Sequence, residues 1–93
     1  MVLPPAPPRV VCLGNVVADH VFRVEDIPQP PAKIAARSYV LNAGGMAANA
    51  AIAVTRLGGR AAFWGRVGDD LNAPLLAAAL EADGVNTAGL RRM

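Results

Sequence analysis

The sequence holds one cysteine, Cys12, among 93 residues, so no intramolecular disulfide can form. Set in an apolar run, Cys12 reads as a buried strand thiol in a reducing compartment and not as a nucleophile. Charge is scarce as well: charged residues make up 17% of the chain against 54% hydrophobic ones, a balance that argues against general disorder. The formal net charge of +2 comes from scattered arginines, with only Arg91 and Arg92 adjacent, so no basic stripe for nucleic acid emerges. Long apolar runs are missing too. The longest mostly apolar stretch, Ala43 to Val54, is too short to span a membrane and carries Asn49 and two glycines. The first residues lack a basic region and are broken by prolines, which excludes an ordinary secretory signal. The expectation is a soluble, cytoplasmic protein with no nucleic-acid or membrane partner and a short extended Pro-rich leader at residues 1–8.

What is present fits one compact unit, near the low end of the size that buries a self-sufficient core. Arg9 to Val17 is rich in β-branched residues and suits a strand buried on both faces, with Asp19 and His20 at its end. Prolines at 28, 30 and 31 confine the next segment, about residues 21–42, to edge strands and turns, as in a two-stranded flap or a plain packing hairpin. Gly44 and Gly45 lead into a helix from Met46 to Leu57, with Gly58-Gly59 as its stop signal. Ala61 to Val67 reads as a strand and Gly68-Asp69-Asp70 as a turn. Asn72 is the expected cap of a helix from Ala73 to Asp83, with Gly84 just beyond its end. Strand, crossover helix, strand and helix in succession indicate a parallel α/β arrangement.

Paired glycines before a helix either relieve a tight turn or let backbone N–H groups approach a ligand. The loop has neither the downstream Lys-Ser or Lys-Thr of a Walker loop nor a G-x-G-x-x-G pattern, so it gives nucleotide phosphate little support. Asn49, one turn into an Ala-rich helix, offers donors and an acceptor together, as a polyhydroxyl ligand requires. Asp19 supplies an acceptor-only carboxylate, although an exposed turn residue or a helix-cap partner is an equal reading of it. Asp69-Asp70 fits a capping turn at least as well as a metal site.

Gly14-x-x-x-x-Asp19, Gly44-Gly45-Met46-Ala47-Ala48-Asn49, Arg56-Leu57-Gly58 and Gly65-Arg66-Val67-Gly68-Asp69-Asp70 form a specific combination. Over nearly the whole chain, Val10 to about Val85, it resembles the ribokinase-like (PfkB) carbohydrate kinases. The resemblance implies that residues 9–93 are the N-terminal part of a ribokinase-like αβα sandwich with a small β-lid. It implies ATP-dependent phosphorylation of a sugar or sugar-like alcohol, with Asp19, Gly44, Gly45 and Asn49 contacting the substrate and the lid forming a possible homodimer contact. ATP and Mg2+ are implied for the complete enzyme at sites not in this chain. The catalytic aspartate of a late Gly-Ala-Gly-Asp motif is absent, so no catalytic, cofactor-binding or metal residue is expected here, and the isolated chain should be inactive. Val17, Met46, Pro31, Ala47 and Ala73 replace residues common in ribokinases proper, which argues against ribose as the sugar. Two other readings remain beside the kinase: a non-catalytic sugar-binding or lid-mediated association module, and a truncated remnant.

Overall fold

The computed structural model describes residues 6–93, so residues 1–5 of the expected leader lie outside the described residues. Strand β1 (Arg9–Asn15) is followed by β2 (Val17–Arg23), β3 (Ser38–Gly44), helix α1 (Met46–Arg56), β4 (Arg60–Val67), α2 (Asn72–Ala82) and β5 (Asn86–Arg92). They form two sheets. The main sheet has the order β1-β4-β5, and the second is the β2-β3 ribbon. β1 pairs with β4 in parallel from Arg9 opposite Arg60 to Asn15 opposite Arg66, and β5 adds in parallel to the other edge of β4. The ribbon is antiparallel, from Val17 opposite Gly44 to Arg23 opposite Ser38.

Two crossovers that step in the same direction put both helices on one face of the main sheet. There Phe63 and Leu80, both fully buried, form one core with Ala48 and Ala51 of α1, Ala73 and Leu76 of α2, and Val85. The alanines let α1 lie close to the strands, and α2 also packs against the ribbon. Both helices end in the same way. Gly58 and Gly59 donate to the carbonyls of Thr55 and Val54, and Gly84 and Val85 to those of Glu81 and Leu80, the paired bonds of a Schellman stop around a left-handed residue.

Four expectations change. The run from Arg9 to Val17 is not one strand: it breaks after Asn15, Val16 tucks into the core, and Val17 opens the ribbon, so Asp19 lies inside β2 and not at the end of β1. The ribbon is correspondingly longer than residues 21–42. Nor is β1 buried on both faces, because Val11 and Leu13 project from the helix-free side, and Cys12 is half-buried. The cap of α2 is Asp70, whose Oδ1 accepts from the N–H groups of Asn72 (2.9 Å) and Ala73 (3.2 Å); Asn72 is already inside the helix. Finally, β5 was not expected from its weak strand formers, and its pairing with β4 supplies what local propensity lacks.

Candidate functional site

Asp19 stands opposite Asn42 in the ribbon. Directly opposed residues share a face and every second residue returns to it, so Val17, Asp19, Asn42 and Gly44 lie on one side. Gly44 is buried, and a methyl group there would collide with the Asp19 carboxylate. The glycine therefore allows the carboxylate to rest on the backbone just before α1. Gly45 follows with φ 99° and ψ 146°, a conformation that side chains disfavour, and a Cβ there would stand 2.5 Å from the Asn15 carbonyl oxygen. Among the described residues no side chain caps α1. Its first-turn N–H groups, carrying the positive end of the helix dipole, remain open for other acceptors beside Asp19.

Asn49 is one turn further on, its N–H donating to the Gly45 carbonyl at 2.9 Å. Its exposed side chain lines a cleft of about 390 Å3 with Leu41, Asn42, Arg56 and Asp83, and Asp19 is not part of that lining. The structure thus brings Asp19, Gly44 and Gly45 together and leaves Asn49 in the adjoining cleft. Asn42 bridges the two, because it pairs with Asp19 and lines the cleft of Asn49. Sequence reasoning passed over Asn42; the signal was its place two residues before Gly44, on the same strand face. Arg56 and Asp83 close the far end of the cleft with two hydrogen bonds of 3.1 and 3.2 Å. His20, assigned no role, meets the Tyr39 hydroxyl at 2.6 Å and stacks on its ring.

A carboxylate on a glycine at a helix start suits a hydroxyl-bearing ligand, since it would repel a phosphate at the same spot. The pfkB family carbohydrate kinase model matches residues 7–93. The chain belongs to that family. Among PfkB relatives it is similar to fructokinase-1 of Oryza sativa subsp. japonica, 42% identical over 81 residues, and to fructokinase-2 of Solanum habrochaites, 40% identical over 81 residues. Each alignment covers 87% of this chain and 24% of the relative, so the chain spans about a quarter of the length of the curated relatives it matches. Two solved PfkB-type structures share the fold. The ribokinase of Arabidopsis thaliana complexed with ribose and ATP is 34% identical with a TM-score of 0.72, covering 95% of this chain and 28% of that one. The fructokinase of Xylella fastidiosa with bound ATP is 30% identical with a TM-score of 0.73, covering 95% and 26%. The expected fold class, the N-terminal part of a ribokinase-like αβα sandwich, therefore stands.

Proposed function

We propose that the complete protein is an ATP-dependent carbohydrate kinase acting on a sugar or sugar-like alcohol, and that this chain carries its substrate-recognition part. The observation that carries the reading is the Asp19 carboxylate seated on Gly44 beside the uncapped start of α1. Asp19 accepts hydrogen bonds from two substrate hydroxyls, the Gly44-Gly45 backbone lets the sugar come close, and Asn49 donates and accepts at a neighbouring hydroxyl. The names of the fructokinase and ribokinase relatives support a sugar substrate and ATP as phosphoryl donor. The residues of this chain do not fit the nucleotide themselves, because a carboxylate already faces the one glycine-rich helix start. ATP and Mg2+ would then be held by other segments, and residues 1–93 alone would not transfer phosphate. The reading further places the protein in the cytoplasm, without nucleic-acid or membrane partners, and with the ribbon available for a homodimer contact. No helix among the described residues is long and apolar enough to cross a membrane.

Calorimetric titration of the complete protein with fructose, ribose and ATP tests the assignment. Asp19→Ala and Asn49→Ala should each weaken sugar binding about ten- to hundredfold, the worth of a charge-assisted hydrogen bond for Asp19, and leave ATP binding unchanged. Unchanged sugar affinity in folded variants overturns it.

A further inference from the structure

The walls of the cleft beside Asn49 all come from this chain, with β3 on one side and α1 and α2 on the other. It opens among the helices, which are an outer layer of an αβα sandwich, and not on the helix-free side that the rest of the sandwich covers. Asn42 stands where this cleft meets the Asp19 face of the ribbon. Direct opposition in the antiparallel register puts the Cβ atoms of Asp19 and Asn42 about 4.5–5.5 Å apart, a spacing at which an amide can donate to a carboxylate. The two side chains do not bond. The carboxylate leans along the strand onto Gly44, with Oδ2, Cγ and Oδ1 all within 3.1 Å of where a Cβ on that glycine would stand. Among the described residues no side-chain hydrogen bond engages Asp19, Asn42 or Asn49. The exposed Asn42 amide therefore keeps its donors and its acceptor for other partners, on the side of Asp19 away from α1.

The far end of the cleft differs. Arg56 and Asp83 hold each other there by two hydrogen bonds, so the cation lining the cleft is already paired. What remains for a ligand is one carboxylate and two amides, a set that donates to and accepts from hydroxyls while the carboxylate disfavours an anion. Asn42 and Gly44 are two positions apart on one face, about 6.8 Å along β3. Several linked hydroxyl-bearing carbons cover that length, and a single hydroxyl does not.

We infer that Asn42 is a further substrate contact and sets the specificity of the proposed sugar site. The inference rests on the sugar reading of Asp19. The substrate it selects is an uncharged polyhydroxy compound with successive hydroxyls, one held by Asp19 over Gly44 and another exchanging donor and acceptor bonds with Asn42. Asn49 takes the end that enters the cleft. A site built to hydrogen-bond a hydroxyl rejects the analogue that lacks it, because the amide is then left without its partner.

Calorimetric titration of the complete protein with fructose and ribose, and with the monodeoxy analogues of whichever binds more tightly, tests it. Asn42→Ala should weaken the parent sugar about three- to tenfold and leave ATP affinity and the melting temperature unchanged. Against one monodeoxy analogue the wild type and Asn42→Ala should bind alike, because the hydroxyl that Asn42 reads is already gone. Wild-type affinity for the parent sugar in Asn42→Ala, with weakened binding in Asp19→Ala, overturns the inference and leaves the sugar reading standing. An equal loss for the parent and every analogue would mark a change in ribbon shape and also overturn it. If the wild type binds neither sugar, or if Asp19→Ala and Asn42→Ala both bind like the wild type, the sugar reading falls and the inference with it.

Discussion

Gly44→Ala probes the joint between strand and helix most directly, because its cost depends on one neighbour. Gly44 has no positive φ, so alanine meets no backbone penalty and, by restricting the unfolded chain, would stabilise by about 0.4–1 kcal/mol if there were room. There is none: the atoms in the way are Cγ and both oxygens of Asp19. Either the ribbon shifts, at an overpacking cost of about 1–3 kcal/mol, or Asp19 rotates away and the hydrogen bonds proposed between it and the substrate would be lost. Asp19→Ala removes all three obstructing atoms. In that background Gly44→Ala should be neutral or stabilising, giving a coupling of about 1–3 kcal/mol in the four-member cycle. Urea unfolding of the four proteins reads the coupling, and sugar titration of Gly44→Ala shows whether the carboxylate has left its place. Equal effects of Gly44→Ala in both backgrounds would refute the packing of Asp19 on this glycine.

Asp70→Ala removes the acceptor for two N–H groups of α2 and should cost about 1 kcal/mol, measured as a shift in the urea midpoint with unchanged slope. Asp83→Asn weakens the link to Arg56 between the two helices; as the Arg56 side chain is 69% exposed, the loss should be only about 0.2–1 kcal/mol and shrink as salt is raised in thermal melts. Residues 1–93 produced alone should self-associate, because β1 and β5 present unpaired backbone along both edges of the main sheet; a strictly monomeric sedimentation profile with a concentration-independent thermal transition would contradict this. The same preparation should consume no ATP in the presence of sugar.

The helices were legible because their signals are local. Ala-rich runs, the glycine pairs flanking α1, and Pro74 and Gly84 at the ends of α2 placed both helices to within a residue or so, and β4 followed from its apolar run. The break at Val16 was not legible, since β-branched residues favour extended chain on either side of it and only tertiary burial reveals the change of sheet. For β5 the deciding interaction is with a strand some twenty residues earlier, which no local window contains. Asp70 displaced Asn72 as cap because the chain enters α2 through Leu71, already in the right-handed helical region, which moves the open N–H groups within reach of the earlier side chain. Of the proposed substrate contacts, Asp19, Gly44 and Gly45 were picked by residue type, but their contact depended on ribbon register. Asn42, invisible to motif reading, emerged only from that register.

The chain passes between the ribbon and the body of the protein at two single-residue joints, Val16 between β1 and β2 and Gly45 between β3 and α1. They touch: a Cβ on Gly45 would lie 3.3 Å from the Cα of Val16. A swing of the ribbon about this short axle would have to break its packing on α2, and its strands would then move as a lever. Asp19 sits three residues out, about 10 Å from the pivot, and Arg23 seven residues out, about 23 Å. A given rotation carries the tip more than twice as far as the carboxylate. In such a rotation Phe22 and Tyr39, near the tip, would move more than twice as far as Asp19, and Gly44, opposite Val17 at the base of the ribbon, would move least.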